Sequence, residues 1–141
     1  MNTVMGCCPV SSRLITINLR IVPFIITIVQ VYTPTSDYDD NEIEAFYSQL
    51  LTVIDQTPKK DILVMQGDWD AKMGRDACGN WQGICGPFCN DDTNEKGLRL
   101  LELSTFMILC WQTLLVITKH PEDGPGSAQM DNTTAMLIIF Y

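Results

Sequence analysis

Two apolar runs constrain this chain more than any other feature. Phe24 to Tyr32 is β-branched and nearly continuous, and Asp61 to Gln66 is a shorter run of the same kind. Between them Ile43, Phe46, Tyr47, Leu50, Leu51 and Ile54 recur at helical spacing and make one apolar stripe. Asn41 followed by Glu44 has the spacing of a capping box, and Thr57-Pro58 closes the helix. Strand, helix, strand in that order is a βαβ unit, because the crossover helix returns the chain to the end of the sheet where it started. The two strands are therefore expected to be parallel. A strand as continuously apolar as Phe24 to Tyr32 is the kind covered on both faces.

The flanks extend this α/β core. Arg13 to Leu19 alternates apolar and polar residues, as in a half-buried strand, and Pro23 interrupts before the next strand. Residues 71–93 are rich in Gly, Asn and Cys and read as a long surface loop with Trp81 and Phe88 as packing anchors. Asp92 with Glu95 can cap a second helix running to about Trp111. Leu98, Leu101, Thr105 and Leu109 suggest its buried face, with Phe106 in reach, and Gly97 near its start weakens it. Residues 120–126 are rich in Pro and Gly, and Ala135 to Tyr141 reads as a strand or a frayed tail. At 141 residues the chain has room for one domain, 1–141.

Charge excludes one class of function. The net charge is −8, and the basic residues Lys59, Lys60, Lys72, Arg75, Lys96 and Arg99 are scattered rather than striped. Tight non-specific binding of nucleic acid relies on cations that displace counterions, so it is not expected here. An acidic protein can still act on a phosphodiester when a divalent metal supplies the local positive charge. Ile21 to Val31 and Met107 to Ile117 are apolar over 11 residues each, short of the roughly 20 that span a bilayer, so no membrane segment is expected. Met1 to Val10 lacks a basic start and a long apolar run, and the six cysteines are expected to be reduced thiols. The expected location is intracellular, nucleus or cytoplasm. Cys78, Cys85 and Cys89 lack zinc-site spacing, and His120 lies far from them.

Chemistry is expected where the parallel strands end, since α/β proteins place ligands outside the carboxyl ends of their strands. Tyr32 stands at one such end, and Asp68 and Asp70 at the other. On an extended backbone residues two apart point to the same side, so Asp68 and Asp70 together can hold Mg²⁺ or orient a water bound to it. Gly67 lets the backbone turn close to a ligand. The Tyr32 hydroxyl can reach a phosphate oxygen. The plainer reading makes the carboxylates solvated loop residues and Tyr32 a strand-end packing residue. The run Asp37, Asp39, Asp40 fits helix-start electrostatics better than a Ca²⁺ site.

These residues resemble a known family. Cys7-Cys8-Pro9-Val10-Ser11-Ser12-Arg13 with Leu14 to Ile17, then Val31-Tyr32-Thr33-Pro34 through Asp40, then Gly67-Asp68-Trp69-Asp70-Ala71-Lys72 are similar to the apurinic-type endonuclease domain of RTE-like LINE retroelements. The resemblance includes residues 54–64 and 79–102 and runs closely from about residue 4 to residue 106. It implies a four-layer α/β sandwich of the endonuclease/exonuclease/phosphatase type, a Mg²⁺ cofactor, and cleavage of a DNA phosphodiester. Tyr32 matches the tyrosine of the family's V-Y-A-P motif, which contacts the scissile phosphate. Asp68 matches the aspartate of G-D-x-N, which positions the nucleophilic water. Asp131, in Gln129-Met130-Asp131, matches the aspartate of Q-I-D-Y.

The departures limit that implication. Asp70 stands where the family has asparagine, and a carboxylate cannot donate a hydrogen bond to phosphate unless protonated. Two like charges at ~4 Å repel by about 1 kcal/mol in water and about 4 at an effective dielectric near 20. The family's segments with the metal-binding glutamate, an active-site asparagine and the S-D-H histidine have no counterpart within these residues. The expectation is a partial sandwich, truncated at both ends and divergent over 106–141, with impaired or absent catalysis. Any contact with DNA is expected to be weak. A non-enzymatic interaction module that self-associates through exposed sheet edges is the alternative.

Overall fold

In a computed structural model the described residues are 3–35, 37–72, 74–81, 92–111, 114–119 and 135–140, with side chains described up to Met107 except at Cys78. Among these residues six strands form one sheet: β1 (Val4–Pro9), β2 (Leu14–Ile21), β3 (Phe24–Tyr32), β4 (Ile62–Asp68), β5 (Leu114–Lys119) and β6 (Ala135–Phe140), in the order β1-β2-β3-β4-β6-β5. Helix α1 (Asp40–Gln56) joins β3 to β4, which pair in parallel as the βαβ pattern requires. All other pairings are antiparallel. A short helix α2 (Arg75–Asn80) and the long α3 (Glu95–Trp111) follow β4.

Side-chain alternation divides the sheet into two unlike faces. Leu14, Val29, Val31, Leu63 and Met65 are buried against Phe46, Leu50, Val53 and Ile54 of α1 and Leu100, Leu101, Leu103 and Met107 of α3. Each such side chain contributes about 1.5–3 kcal/mol by leaving water. The intervening residues point the other way, and several are exposed: Ile15, Ile21, Phe24 and Tyr32. The helices thus cover one face, and the other carries an apolar surface with a polar end at Gln30, Tyr32, Gln66 and Asp68. The β3 run is nearly continuous in sequence, yet only one of its faces is buried deeply.

Several local expectations shift. Neither helix is capped as its spacing suggests. The N-cap of α1 is Asp39, which makes no side-chain capping bond, while Glu44 reaches Arg99 instead. The cap of α3 is Asn94 rather than Asp92: its Oδ1 accepts the Gly97 N–H at 2.8 Å. The buried face of α3 is Leu100, Leu101, Leu103, Ser104 and Met107, whereas Leu98 and Phe106 are exposed. Leu98 and Phe106 sit on the outer side of the helix once Leu101 and Met107 dock on the sheet. On α1, Val53 is buried where Leu51 was expected, since Leu51 is turned to solvent. The loop expected over 71–93 contains α2, and Trp81 after it packs on the core with Nε1 donating to Thr105 Oγ1 at 3.1 Å. Ala135–Phe140 is a strand. Phe88, Cys85, Cys89, His120 and Asp131 lie outside the described residues. No helix of the described residues is long and apolar enough to cross a membrane.

Candidate functional site

Tyr32 and Asp68 are register partners, each the last residue of its strand, on the parallel pair β3–β4. Direct cross-strand partners share a face, so both belong to the open face rather than the helix-covered one. Thr33 ties the two ends together. Its N–H and its Oγ1 both donate to the Asp68 carbonyl, at 3.0 and 3.2 Å. Tyr32 is 52% exposed and Asp68 is half-buried.

The next two residues take the chain elsewhere. Trp69 is fully buried in the core. Its indole Nε1 has no hydrogen-bond partner among the described residues. Asp70 adopts φ 48°, the left-handed region that Asp and Asn tolerate better than most residues. The Asp70 N–H donates to Asp68 Oδ1 at 3.1 Å. The premise that Asp68 and Asp70 point to one side therefore fails, because the backbone leaves the extended conformation at Asp70.

Asp70 instead faces the start of α3, where its carboxylate is paired with the ammonium of Lys96. Asn94 supports this turn from three directions: Nδ2 donates to the Asp70 carbonyl at 3.0 Å, and Oδ1 accepts the N–H groups of Lys72 and Gly97 at 2.9 and 2.8 Å. A Cβ on Gly97 would meet the Lys72 carbonyl oxygen at 2.0 Å, so this contact requires glycine despite its helix cost. Gly67 plays a similar part at φ 148°, where a Cβ would overlap the Val31 carbonyl oxygen. Gly67 lets β4 approach the backbone of β3 rather than a ligand.

A cleft of about 370 Å³ lies beside this turn, lined by residues that include Thr33, Tyr38, Asp70, Lys72, Lys96 and Arg99. Arg99 pairs with Glu44 at 2.9 Å and with Glu95 at 3.6 Å, joining α1 to α3. Burial raises the Tyr47 phenol above its usual value, an effect that the nearby Arg99 partly offsets. Tyr32 and Asp68 do not line this cleft.

The residues present do not fit a two-carboxylate Mg²⁺ seat. Asp70 is neutralised by Lys96, and Asp68 directs one oxygen to a backbone N–H. Among the described residues no three His, Cys, Asp or Glu side chains cluster to hold a metal ion. Lys96 also answers the repulsion expected from Asp70: the offsetting charge comes from the protein.

The comparisons with known proteins agree with this topology. The chain is 37% identical over 117 residues to craniofacial development protein 2 of Bos taurus and 36% identical over 101 residues to that of Tragulus javanicus. Those matches take in 83% and 72% of this chain. Among solved structures, the endonuclease domain of TRAS1, a telomere-specific non-LTR retrotransposon, superposes with a TM-score of 0.54 over 89% of this chain at 17% identity. The chain is related to craniofacial development protein 2 and has the fold of a retrotransposon endonuclease domain. It spans 18% and 17% of those two relatives and 49% of the solved endonuclease chain. No family model matches.

This endonuclease-type fold explains why the strand ends stood out in the sequence: β3 and β4 are the parallel pair, and Tyr32 and Asp68 close them. Residue patterns did not reveal Lys96, Asn94 or Arg13 as neighbours of the site. Lys96 lies 26 residues from Asp70, and only docking of α3 brings them together. The spacing Asn94, Glu95, Lys96, Gly97 was the available signal for the cap.

Proposed function

We propose that this chain is a nuclease-like module of retroelement-endonuclease descent that recognises a DNA phosphodiester through Tyr32, with Asp68 beside it to hold a water, and with impaired Mg²⁺-dependent cleavage. The register pairing of Tyr32 with Asp68 at the ends of parallel strands carries this reading. At that position the Tyr32 hydroxyl can donate to a non-bridging phosphate oxygen, and the free oxygen of Asp68 can accept a proton from a water. Asp70 contributes a fixed turn and an ion pair rather than a second ligand. Asp131 keeps the role that the family resemblance implies. Two departures support the impairment. Asp70 stands in place of an asparagine donor and is committed to Lys96. The family's metal-binding glutamate, active-site asparagine and S-D-H histidine have no counterpart within these residues, so changing Asp70 alone is not enough.

A supercoiled-plasmid nicking assay with Mg²⁺ tests this reading. Little or no nicking above background is expected, and Asp70→Asn is not expected to restore it. Robust turnover that disappears in Asp68→Ala would overturn the impairment and keep the assignment of Asp68.

A second reading is favoured by the open sheet face. Ile15, Ile21 and Phe24 are 40%, 46% and 49% exposed on it. Apolar surface of this kind favours self-association or partner binding, as do the unpaired edges of β1 and β5 among the described strands. Sizing by light scattering distinguishes the cases, since a monomer at all concentrations argues against self-association.

A further inference from the structure

We infer that Arg13 is a phosphate-binding residue of this site, held ready by two tyrosines; the inference rests on the phosphodiester reading above. Arg13 immediately precedes β2, and its carbonyl accepts the Tyr32 N–H at 3.0 Å. Its neighbour Leu14 is fully buried beneath the helices, so the Arg13 side chain leaves on the opposite, open face. Arg13, Tyr32 and Asp68 therefore form one row across three adjacent strands, at the end of the sheet where the parallel strands stop.

The side-chain geometry is specific. The Arg13 guanidinium carbon lies 4.5 Å from the centre of the Tyr38 ring and 5.6 Å from that of Tyr32. Contact with aromatic faces occupies the flat sides of a guanidinium and leaves its in-plane N–H groups available. A planar fork of donors is the geometry that matches two oxygens of a phosphate. No carboxylate among the described residues pairs with Arg13, whereas Lys96 and Arg99 nearby are both committed to acidic partners. Tyr38 and Tyr32 are 42% and 52% exposed, so the cluster is open to an incoming ligand. In a chain of net charge −8, a local cation beside Tyr32 with no acidic partner among the described residues is what would let a phosphate approach.

The ligand class is the phosphodiester backbone of DNA, gripped by the Arg13 fork and the Tyr32 hydroxyl. The test is binding of a fluorescent duplex oligonucleotide to the full chain over a range of salt concentrations. Arg13→Gln is expected to weaken binding about tenfold and to reduce the slope of log affinity against log salt by about one unit. Arg13→Lys should keep the slope and regain part of the affinity. Tyr38→Leu should weaken binding without changing the slope, because it removes the platform but no charge. Arg99→Gln, at a committed cation on the α1–α3 side, should leave binding within about twofold. Thermal melting confirms that each variant is folded. If the parent chain binds duplex and Arg13→Gln leaves the slope unchanged, Arg13 is not a phosphate contact and only this inference falls. If the parent chain shows no salt-dependent binding, the phosphodiester reading falls and takes this inference with it.

Discussion

Asp68 Oδ1 accepts the backbone N–H of Asp70 at 3.1 Å, so one carboxylate shapes the turn that carries the other away from it. Two residues that resemble a metal-binding pair in sequence thus divide into a strand-end group on the open face and an ion-paired group at the start of α3.

The turn makes Asp70 replaceable by a residue that tolerates positive φ. Asp70→Asn loses only the pair with Lys96, and the Asp70 side chain is 44% exposed. The expected loss is under about 1 kcal/mol, as for partly exposed ion pairs. Asp70→Val adds the strain of a β-branched side chain at φ 48° and should cost roughly 1–2 kcal/mol more. Urea melts of both variants check the order; a larger loss for asparagine than for valine would refute the turn argument.

Gly67 is expected to be intolerant of any side chain. Its φ of 148° and the overlap of a Cβ with the Val31 carbonyl would force β3 and β4 apart. Gly67→Ala should lose about 2–4 kcal/mol. Gly6→Ala on β1, where a Cβ meets nothing within 4 Å, should change stability by no more than about 0.5 kcal/mol. Equal melting curves for the two variants would contradict the close approach.

Asp76 supplies a pH test. Hydrogen bonds from the Thr93 hydroxyl, at 2.7 Å, and from the Ala77 backbone hold its carboxyl below the ordinary value of 3.8. A folded-state value below the unfolded one means that the unfolded chain binds more protons. The contribution is therefore present above pH 3.8 and is lost as pH falls through the lower folded value. An NMR titration should place Asp76 below 3.8, and Thr93→Val should move it back up. An unchanged midpoint in that variant would show that the hydroxyl is not the cause.

Cys7 and Cys8 are exposed free thiols on the edge strand β1. Both should react with a thiol reagent in the native chain, with peptide mapping locating the label. Protection of both cysteines in the folded chain would mean that β1 is covered by a partner.

The sequence alone determined the α/β class, the βαβ unit, the parallel pairing and the placement of Tyr32 and Asp68 at strand ends. Those follow from short-range patterns: apolar runs, one helical stripe, and a Pro that stops a helix. The tertiary structure decided what faces what. Asp68 and Asp70 diverge because a single residue takes positive φ, which the spacing of two carboxylates does not reveal. Lys96 reaches Asp70, and Arg13 lies between Tyr32 and Tyr38, only after α3 docks and β2 pairs with β3. The outward turn of Leu98 and Phe106 was equally hidden, since a helix richly apolar on several sides does not declare which side the sheet will take. Local periodicity specifies elements, and long-range contact assigns their faces and joins their charges.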